Sequence, residues 1–406
     1  MSTLRVLQIC HKPPQPGVDG GCLAMDSLTQ SLQSEGHDVK VLTLSTHKHP
    51  FVPERMSKAY RQSTGIEAVF ADTELNIRDA ASHVVTGESY HLSRFHVPEM
   101  EKLIEQVLRE RVFDIVLLES LFTTSYIPAI RRLSHGEIVL RAHNVEHRIW
   151  EEVTEDMSFG PKKWILQHFQ GRLKEAELDL LNQVDAVVAL TDLDAQWIES
   201  HADQVGGDRV LTLPFGMDVE HTPHAAIGIP PSGVLHLGSM DWTPNVQGVR
   251  WLMESVWPLV KNANPEITLC LAGRHMPEDF QDDHELGIEV VGEVANAAEA
   301  YDSPAVVVVP LHAGSGMRIK VAEALAAGRP VVTTSKGMEG MSLIHGEHVM
   351  VADNEHDMAQ AIGELLRHPD KACQLGENGR AWAMNHLDHG VLAQRLTSFL
   401  NRLVQS

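Results

Sequence analysis

Gly314-Ser-Gly-Met-Arg-Ile-Lys-Val-Ala-Glu-Ala-Leu-Ala-Ala-Gly-Arg-Pro-Val-Val332 decides the fold class of this 406-residue chain. It follows Ala305-Val-Val-Val-Val-Pro310, an apolar run of the kind that forms a strand covered on both faces. A Gly/Ser turn comes next, then an alanine-rich helix from about Gly316, a Gly-Arg-Pro stop, and a second strand at Val331-Val332-Thr333. Strand, crossover helix and strand in that order make one unit of a parallel α/β sheet. On such a helix Lys320 and Glu323 are three apart and share a face with Gly316 and Ala327. That face begins at the amino end, where free backbone N–H groups attract anions. A phosphate there, with Lys320 as counter-charge and Glu323 accepting from sugar hydroxyls one turn deeper, suits a sugar nucleotide. The plainer alternative is an ordinary crossover helix carrying a solvated Lys–Glu pair.

The same rhythm runs outward in both directions. Apolar, strand-like runs recur at residues 4–10, 38–44, 114–118, 137–141 and 186–190, separated by helical patterns. Residues 45–100 break the alternation, being polar and rich in His, Ser and Pro; an acceptor-specific insertion and an irregular loop both fit. Residues 220–233 carry three prolines and two glycines and read as a linker. Beyond it the alternation restarts at residues 234–238, 267–272, 288–291 and 305–309. The expected architecture is therefore α/β, with two doubly wound Rossmann-like domains facing a cleft. Their expected bounds are 1–222 and 223–385, with a last helical segment at 386–406.

Composition bounds the function. A formal charge of −22, from 55 acidic against 33 basic side chains, disfavours nucleic acid and anionic membrane as main partners. The apolar fraction of 43% and charged fraction of 22% are those of a globular enzyme. Cys10, Cys22, Cys270 and Cys373 show neither close pairing nor metal spacing, which points to free thiols in a reducing compartment. The first apolar run is too short for a signal-peptide core, and no stretch reaches the roughly 20 residues that span a bilayer. A cytoplasmic location is expected.

Several segments resemble the retaining glycosyltransferases of family 4, which have the two-domain GT-B fold. Glu323 followed by Ala-Leu-Ala-Ala-Gly-Arg-Pro-Val-Val332 is similar to the second glutamate of the family's donor motif and the Ala-Met-Ala-x-Gly-x-Pro-Val-Val after it. Ser315 stands where the first glutamate usually is, as in a sub-branch reading Gly-Ser-Gly-x-Arg-x-Lys. Asp185-Ala-Val-Val-Ala-Leu-Thr191, Leu213-Pro-Phe-Gly-Met-Asp218 and Gly346-Glu-His-Val-Met-Val-Ala352 resemble, in order, further family segments. The resemblance implies transfer of a hexose-type sugar from a UDP- or GDP-type nucleotide diphosphate to a hydroxyl of a glycan, lipid or small molecule. It further implies retention of configuration, no cofactor and no metal. It also implies a final helix that returns to the first domain.

The family's usual Arg and Lys after the first strand of the second domain are absent from Gly238-Ser-Met-Asp-Trp-Thr-Pro-Asn245. Compensating charge for a diphosphate then falls to Lys320 and Arg318, although Arg318 lies about 160° from Lys320 by helical phase and also reads as a surface arginine. The donor contacts expected are Glu323, Lys320, Arg318 and the loop Gly314, Ser315, Gly316. His143 closes a strand in Arg141-Ala-His-Asn-Val-Glu-His147, where an imidazole donates to sugar hydroxyls or stabilises charge. The resemblance gives it a catalytic role beside Lys320. Asp19, Gly20 and Gly21 form a loop able to cradle phosphate or acceptor, or merely to turn strand into helix.

Rival readings are specific. His143, Glu146 and His147 match the His-x-x-Glu-His pattern of zinc peptidases, which needs both histidines on one helix; 24 histidines make a chance match easy. A sugar-nucleotide-binding protein without transferase activity follows from Ser315, and epimerases and phosphorylases share the architecture. Trp251 and Trp257 read as core, and Trp242 as near the nucleotide. Residues 159–181 are amphipathic, which suits packing on the first domain or peripheral contact with a membrane.

Overall fold

The computed structural model describes residues 3–17, 19–73, 93–155, 160–202, 205–222, 229, 231–294, 297–303, 305–314 and 317–405. Its chain divides into two units, Met1–Gly216 with Gly390–Ser406, and Met217–His389. Among the described residues the first unit holds β1 (Arg5–Cys10), β2 (Asp38–Ser45), β3 (Glu67–Phe70), β4 (Ile115–Glu119), β5 (Glu137–Ala142), β6 (Ala186–Ala189) and β7 (Val210–Thr212). Their order in the sheet is β3-β2-β1-β4-β5-β6-β7. The second holds β8 (Gly233–Leu237), β9 (Leu269–Ala272), β10 (Ile288–Gly292), β11 (Ala305–Val309), β12 (Val331–Thr333) and β13 (Met350–Val351), in the order β10-β9-β8-β11-β12-β13. All of these ladders are parallel, so each sheet is a doubly wound Rossmann-like sheet.

Covering on both faces explains the unbroken apolar strands. Along β11, Ala305, Val307 and Val309 pack on one side of the sheet and Val306 and Val308 on the other. Each valine is at most 1% exposed, and such burial contributes about 1.5–3 kcal/mol per side chain. In the first unit Leu7 and Ile9 face one core while Val6 and Cys10 face the second. Helix His389–Gln405 completes that second core with Leu392, Leu396, Phe399, Leu400 and Leu403.

Some local expectations change. Inside the irregular stretch 45–100, helix Lys58–Thr64 and β3 continue the alternation; residues 74–92 lie outside the described residues. The decisive helix spans Ile319–Ala326, starting three residues later than Gly316. Arg318 explains the delay: its guanidinium turns back onto Gly314 O and Lys336 O, which holds its own backbone outside the helical region at φ −85, ψ 84. The stop is as read. Gly328 adopts φ +68, its N–H reaches Leu325 O, and Arg329 N–H reaches Ala324 O, before Pro330 forbids continuation. Trp257 is fully buried and donates to Leu286 O, Trp251 is half-buried edge-on to His312, and Trp242 is 37% exposed. Among the described residues no helix is long and apolar enough to cross a membrane.

Chain order reverses between β1 and β4 in one sheet and between β8 and β11 in the other. The crossovers diverge at those points, leaving the carboxyl ends of the two strands uncovered, which is where ligands bind in such sheets.

Candidate active site

In the second unit the carboxyl ends of β8 and β11 carry Lys320, Glu323 and a set of partners. The Lys320 ammonium donates to Asn245 Oδ1. Its tip lies over Gly238: a Cβ there would stand 2.3 Å from Nζ, so a side chain at 238 would displace the ammonium from this position. Burial pulls Lys320 down to about 7, with Glu323 opposing. Burial likewise pushes Glu323 up to about 7, against the pull of Lys320 and of the Tyr301 hydroxyl. Lys320 and Glu323 thus stand half-buried one helical turn apart, with burial drawing each toward about 7.

Arg318 is no surface arginine. It is 4% exposed, donates from Nη2 to Gly314 O at 2.5 Å and lies 3.8 Å from Glu339. Its charge holds the loop before the helix. Gly314, at φ +110, has the Trp242 ring where a side chain would go, with a Cβ only 2.5 Å from that ring. Ser315 and Gly316 lie outside the described residues.

In the first unit the ends of β1, β4 and β5 converge on Glu119, which is fully buried. Gln8 Nε2 donates to its Oε1 at 2.8 Å, His143 Nε2 lies 2.8 Å from its Oε2, and Arg141 Nη1 stands 3.8 Å away. Burial works against ionisation, but Arg141, His143 and Gln8 together keep Glu119 below the usual carboxylate range. A carboxylate accepts, so His143 Nε2 carries a proton in this contact. Ser120, next to Glu119, adopts φ +79, a strained value for a non-glycine residue at a strand end. His11 donates from Nδ1 to Glu119 O at 3.0 Å and meets the His143 ring edge-on at 5.8 Å. Burial, then His143, lowers His11 to about 3, so it stays neutral.

Asp19 is the amino cap of helix Gly20–Ser34, accepting from Cys22 N–H at 2.9 Å. Both of its oxygens accept from Lys12 Nζ at 2.8 Å. Burial opposes ionisation, but Lys12 and the Cys22 N–H hold Asp19 well below the ordinary range. Gly21 makes room for that lysine, since a Cβ would stand 2.8 Å from Nζ. Asp19 is therefore committed to the loop, and Lys12 is the cation placed beside Gly20 and Gly21.

Lys12, Glu119, Asn245, His236 and Tyr301 escaped the sequence reading. Gln8, Glu119 and His236 did leave one signal, a polar residue inside an otherwise apolar strand. The zinc-peptidase reading does not fit. Helix Glu146–Glu155 contains His147 but starts after His143. His147 Nδ1 is bonded to Glu177 at 2.7 Å and His143 to Glu119, so the two rings serve different carboxylates. Among the described residues, the cluster with ligand atoms within 4.8 Å of one another is Asp19, Cys22 and His49, where Lys12 already supplies the positive charge.

A family model described as Glycosyltransferase Family 4 matches residues 20–221, and one described as Glycosyl transferases group 1 matches residues 231–368. An uncharacterized 44.6 kDa protein in the cps region of Klebsiella pneumoniae is 24% identical over 374 residues, covering 88% of this chain and 90% of that protein. Sucrose-phosphate synthase from Thermosynechococcus elongatus has the same fold, with TM-score 0.69 at 16% identity over 99% of both chains. So has Anabaena HepE in complex with UDP, with TM-score 0.68 at 13% identity over 98% of this chain and 100% of that one.

Proposed function

The chain belongs to glycosyltransferase family 4 and is a glycosyltransferase of GT-B fold; on that premise we propose that it moves a sugar from a UDP- or GDP-type nucleotide diphosphate to a hydroxyl acceptor, with retention and without a metal. The observation that carries the donor assignment is the Lys320–Glu323 pair at the carboxyl ends of β8 and β11, within the family's donor motif. Lys320 neutralises the diphosphate as charge develops on the leaving oxygen, and the amino end of helix Ile319–Ala326 adds its dipole. Glu323 accepts from ribose hydroxyls. Arg318 and Gly314 shape the floor under the phosphates.

Retention without a side-chain nucleophile requires the acceptor hydroxyl to attack from the face the diphosphate leaves. The departing phosphate oxygen then takes the acceptor proton. His143 is the residue assigned to the sugar by this reading, with Glu119 fixing its ring. UDP bound to a protein of the same fold supports a uridine donor as the first to try. Acceptor identity and peripheral membrane contact stay within the classes that the sequence suggests, a glycan, a lipid or a small molecule.

The test is a panel of UDP- and GDP-sugars with mixed acceptors, run with and without chelator, reading transfer and the anomeric configuration of the product. Transfer that survives chelation with the donor's configuration kept is the expected result; donor binding without transfer or hydrolysis would make the chain a binding protein. Glu323→Ala should weaken donor binding by about tenfold or more, as two charge-assisted hydroxyl contacts disappear. His143→Ala should instead lower turnover while leaving nucleotide affinity nearly unchanged. The reverse pattern would dismiss the division of roles.

A further inference from the structure

Two buried polar atoms at the end of β8, His236 Nε2 and Ser239 Oγ, have no hydrogen-bond partner among the described residues. His236 is fully buried, and its Nδ1 lies 2.9 Å from Val308 O. A carbonyl only accepts, so the proton sits on Nδ1 and Nε2 is a bare lone pair. Burial, with Lys320 adding to it, lowers this imidazole to about 3 and keeps it neutral. A buried lone pair calls for a donor. The ammonium of Lys320 is the nearby donor, although it makes no hydrogen bond to His236 Nε2 in the structure: a Cβ on Gly238 would stand 2.3 Å from Lys320 Nζ and 3.1 Å from His236 Nε2.

On its other side Lys320 donates to Asn245 Oδ1, and Asn245 is itself anchored by its amide nitrogen to Ser239 O at 2.5 Å. Both acceptors are neutral. A carboxylate in either place would hold the amine more firmly but would cancel its charge, the property an anion needs. An ammonium has three N–H groups, and two acceptors leave one over. We propose that His236 and Asn245 are positioning residues that hold the Lys320 ammonium through neutral acceptors, leaving its charge and third N–H for an anionic diphosphate. This rests on reading Lys320 as the donor-phosphate group. The charged and titratable groups facing Lys320 are His236 from β8, Asp241 from the loop after it, Arg318 ahead of the helix and Glu323 on the helix itself.

The test uses the full chain with ¹³Cε-labelled lysine, the Lys320 signal being assigned by its loss in Lys320→Arg. In the free protein, His236→Phe keeps the ring but removes the acceptor, and the Lys320 titration midpoint should fall by about one pH unit. Asn245→Asp should raise the midpoint by a similar amount, and His236→Gln, which restores an acceptor, should return it toward the wild-type value. Calorimetry with UDP and GDP forms the second arm. His236→Phe should weaken nucleotide binding about tenfold, and Asn245→Asp should weaken it too, because the firmer hold cancels the charge. An unchanged midpoint in both His236→Phe and Asn245→Leu overturns the cradle whatever the nucleotides do. Wild-type protein that binds neither UDP nor GDP overturns the donor reading and with it the purpose of the cradle, and the NMR arm tells that failure from the first.

Discussion

Lys320 is pulled down to about 7 and Glu323 pushed up to about 7 on one face of a single helical turn, both by burial. A diphosphate needs the amine charged, which holds below neutrality and is lost as pH rises through it. Ribose hydroxyls need the carboxylate ionised, which holds above neutrality and is lost as pH falls. Affinity for UDP-glucose, used as the probe, should therefore trace a bell centred near pH 7, the two limbs belonging to the pair. Lys320→Ala should remove the alkaline limb and Glu323→Gln the acid limb; a flat wild-type profile between about pH 5.5 and 8.5 would show that the pair does not face the donor. Glu119 allows a second test. Glu119→Gln keeps the shape around His143 but leaves Arg141 buried without its counter-charge, and it loosens the hold on the ring. Turnover should fall about tenfold or more with nucleotide affinity kept, and the melting point should fall as well. Glu119 was out of reach of the sequence because its partner Gln8 lies 111 positions away, and Arg141 lies on the next strand of the sheet with His143 just beyond its end. Polar residues in apolar strands can be spotted one by one, but which of them meet is a matter of strand register.

Helix Ile319–Ala326 owes its position to what crosses its end. Helix Pro369–His386 passes so close to the Gly328 turn that a Cβ on Gly376 would stand 2.2 Å from Gly328 O. Gly376→Ala should therefore force the two elements apart at a cost of about 1–3 kcal/mol, read as a lowered melting point. Gly171, in helix Pro161–Leu181, has open space where its Cβ would go, and Gly171→Ala should raise stability by about 0.5–1 kcal/mol. Equal effects from the two substitutions would mean that close packing at the helix crossing is not what limits stability. The central strands were legible because parallel strands are covered on both faces and so need apolar residues throughout, as Ala305–Val309 shows. β3 was not, since an edge strand with half-exposed Ala68 and Val69 carries no continuous run. Helix Ile319–Ala326 starts later than its sequence pattern predicts because the side chain that delays it, Arg318, bonds to a carbonyl eighteen residues on, at Lys336.

The first unit is built from two separated lengths of chain, Met1–Gly216 and Gly390–Ser406, and the second from the single length between them. Where the chain enters and leaves the second unit the two strands are tied together, Met217 N–H to Leu387 O at 2.9 Å and His389 N–H to Met217 O at 3.1 Å. That arrangement sets an order in time on the ribosome. The second unit has all of its residues as soon as His389 emerges, whereas Leu4, Val6, Met25, Leu28 and Val39 still wait for Leu392, Leu396, Phe399 and Leu400 to cover them. At roughly 5–20 residues per second, the intervening length takes on the order of ten to thirty seconds to make, and during it the nascent first unit carries an open apolar flank. A chain stalled after residue 389 should yield a protease-resistant second unit beside a first unit that is cut readily and bound by chaperones. If the stalled first unit resists protease as well as the finished protein does, its last helix is an ornament. Otherwise synthesis itself acts as the safeguard: the half of the enzyme carrying His143 is completed only after the half carrying Lys320 and Glu323 is whole.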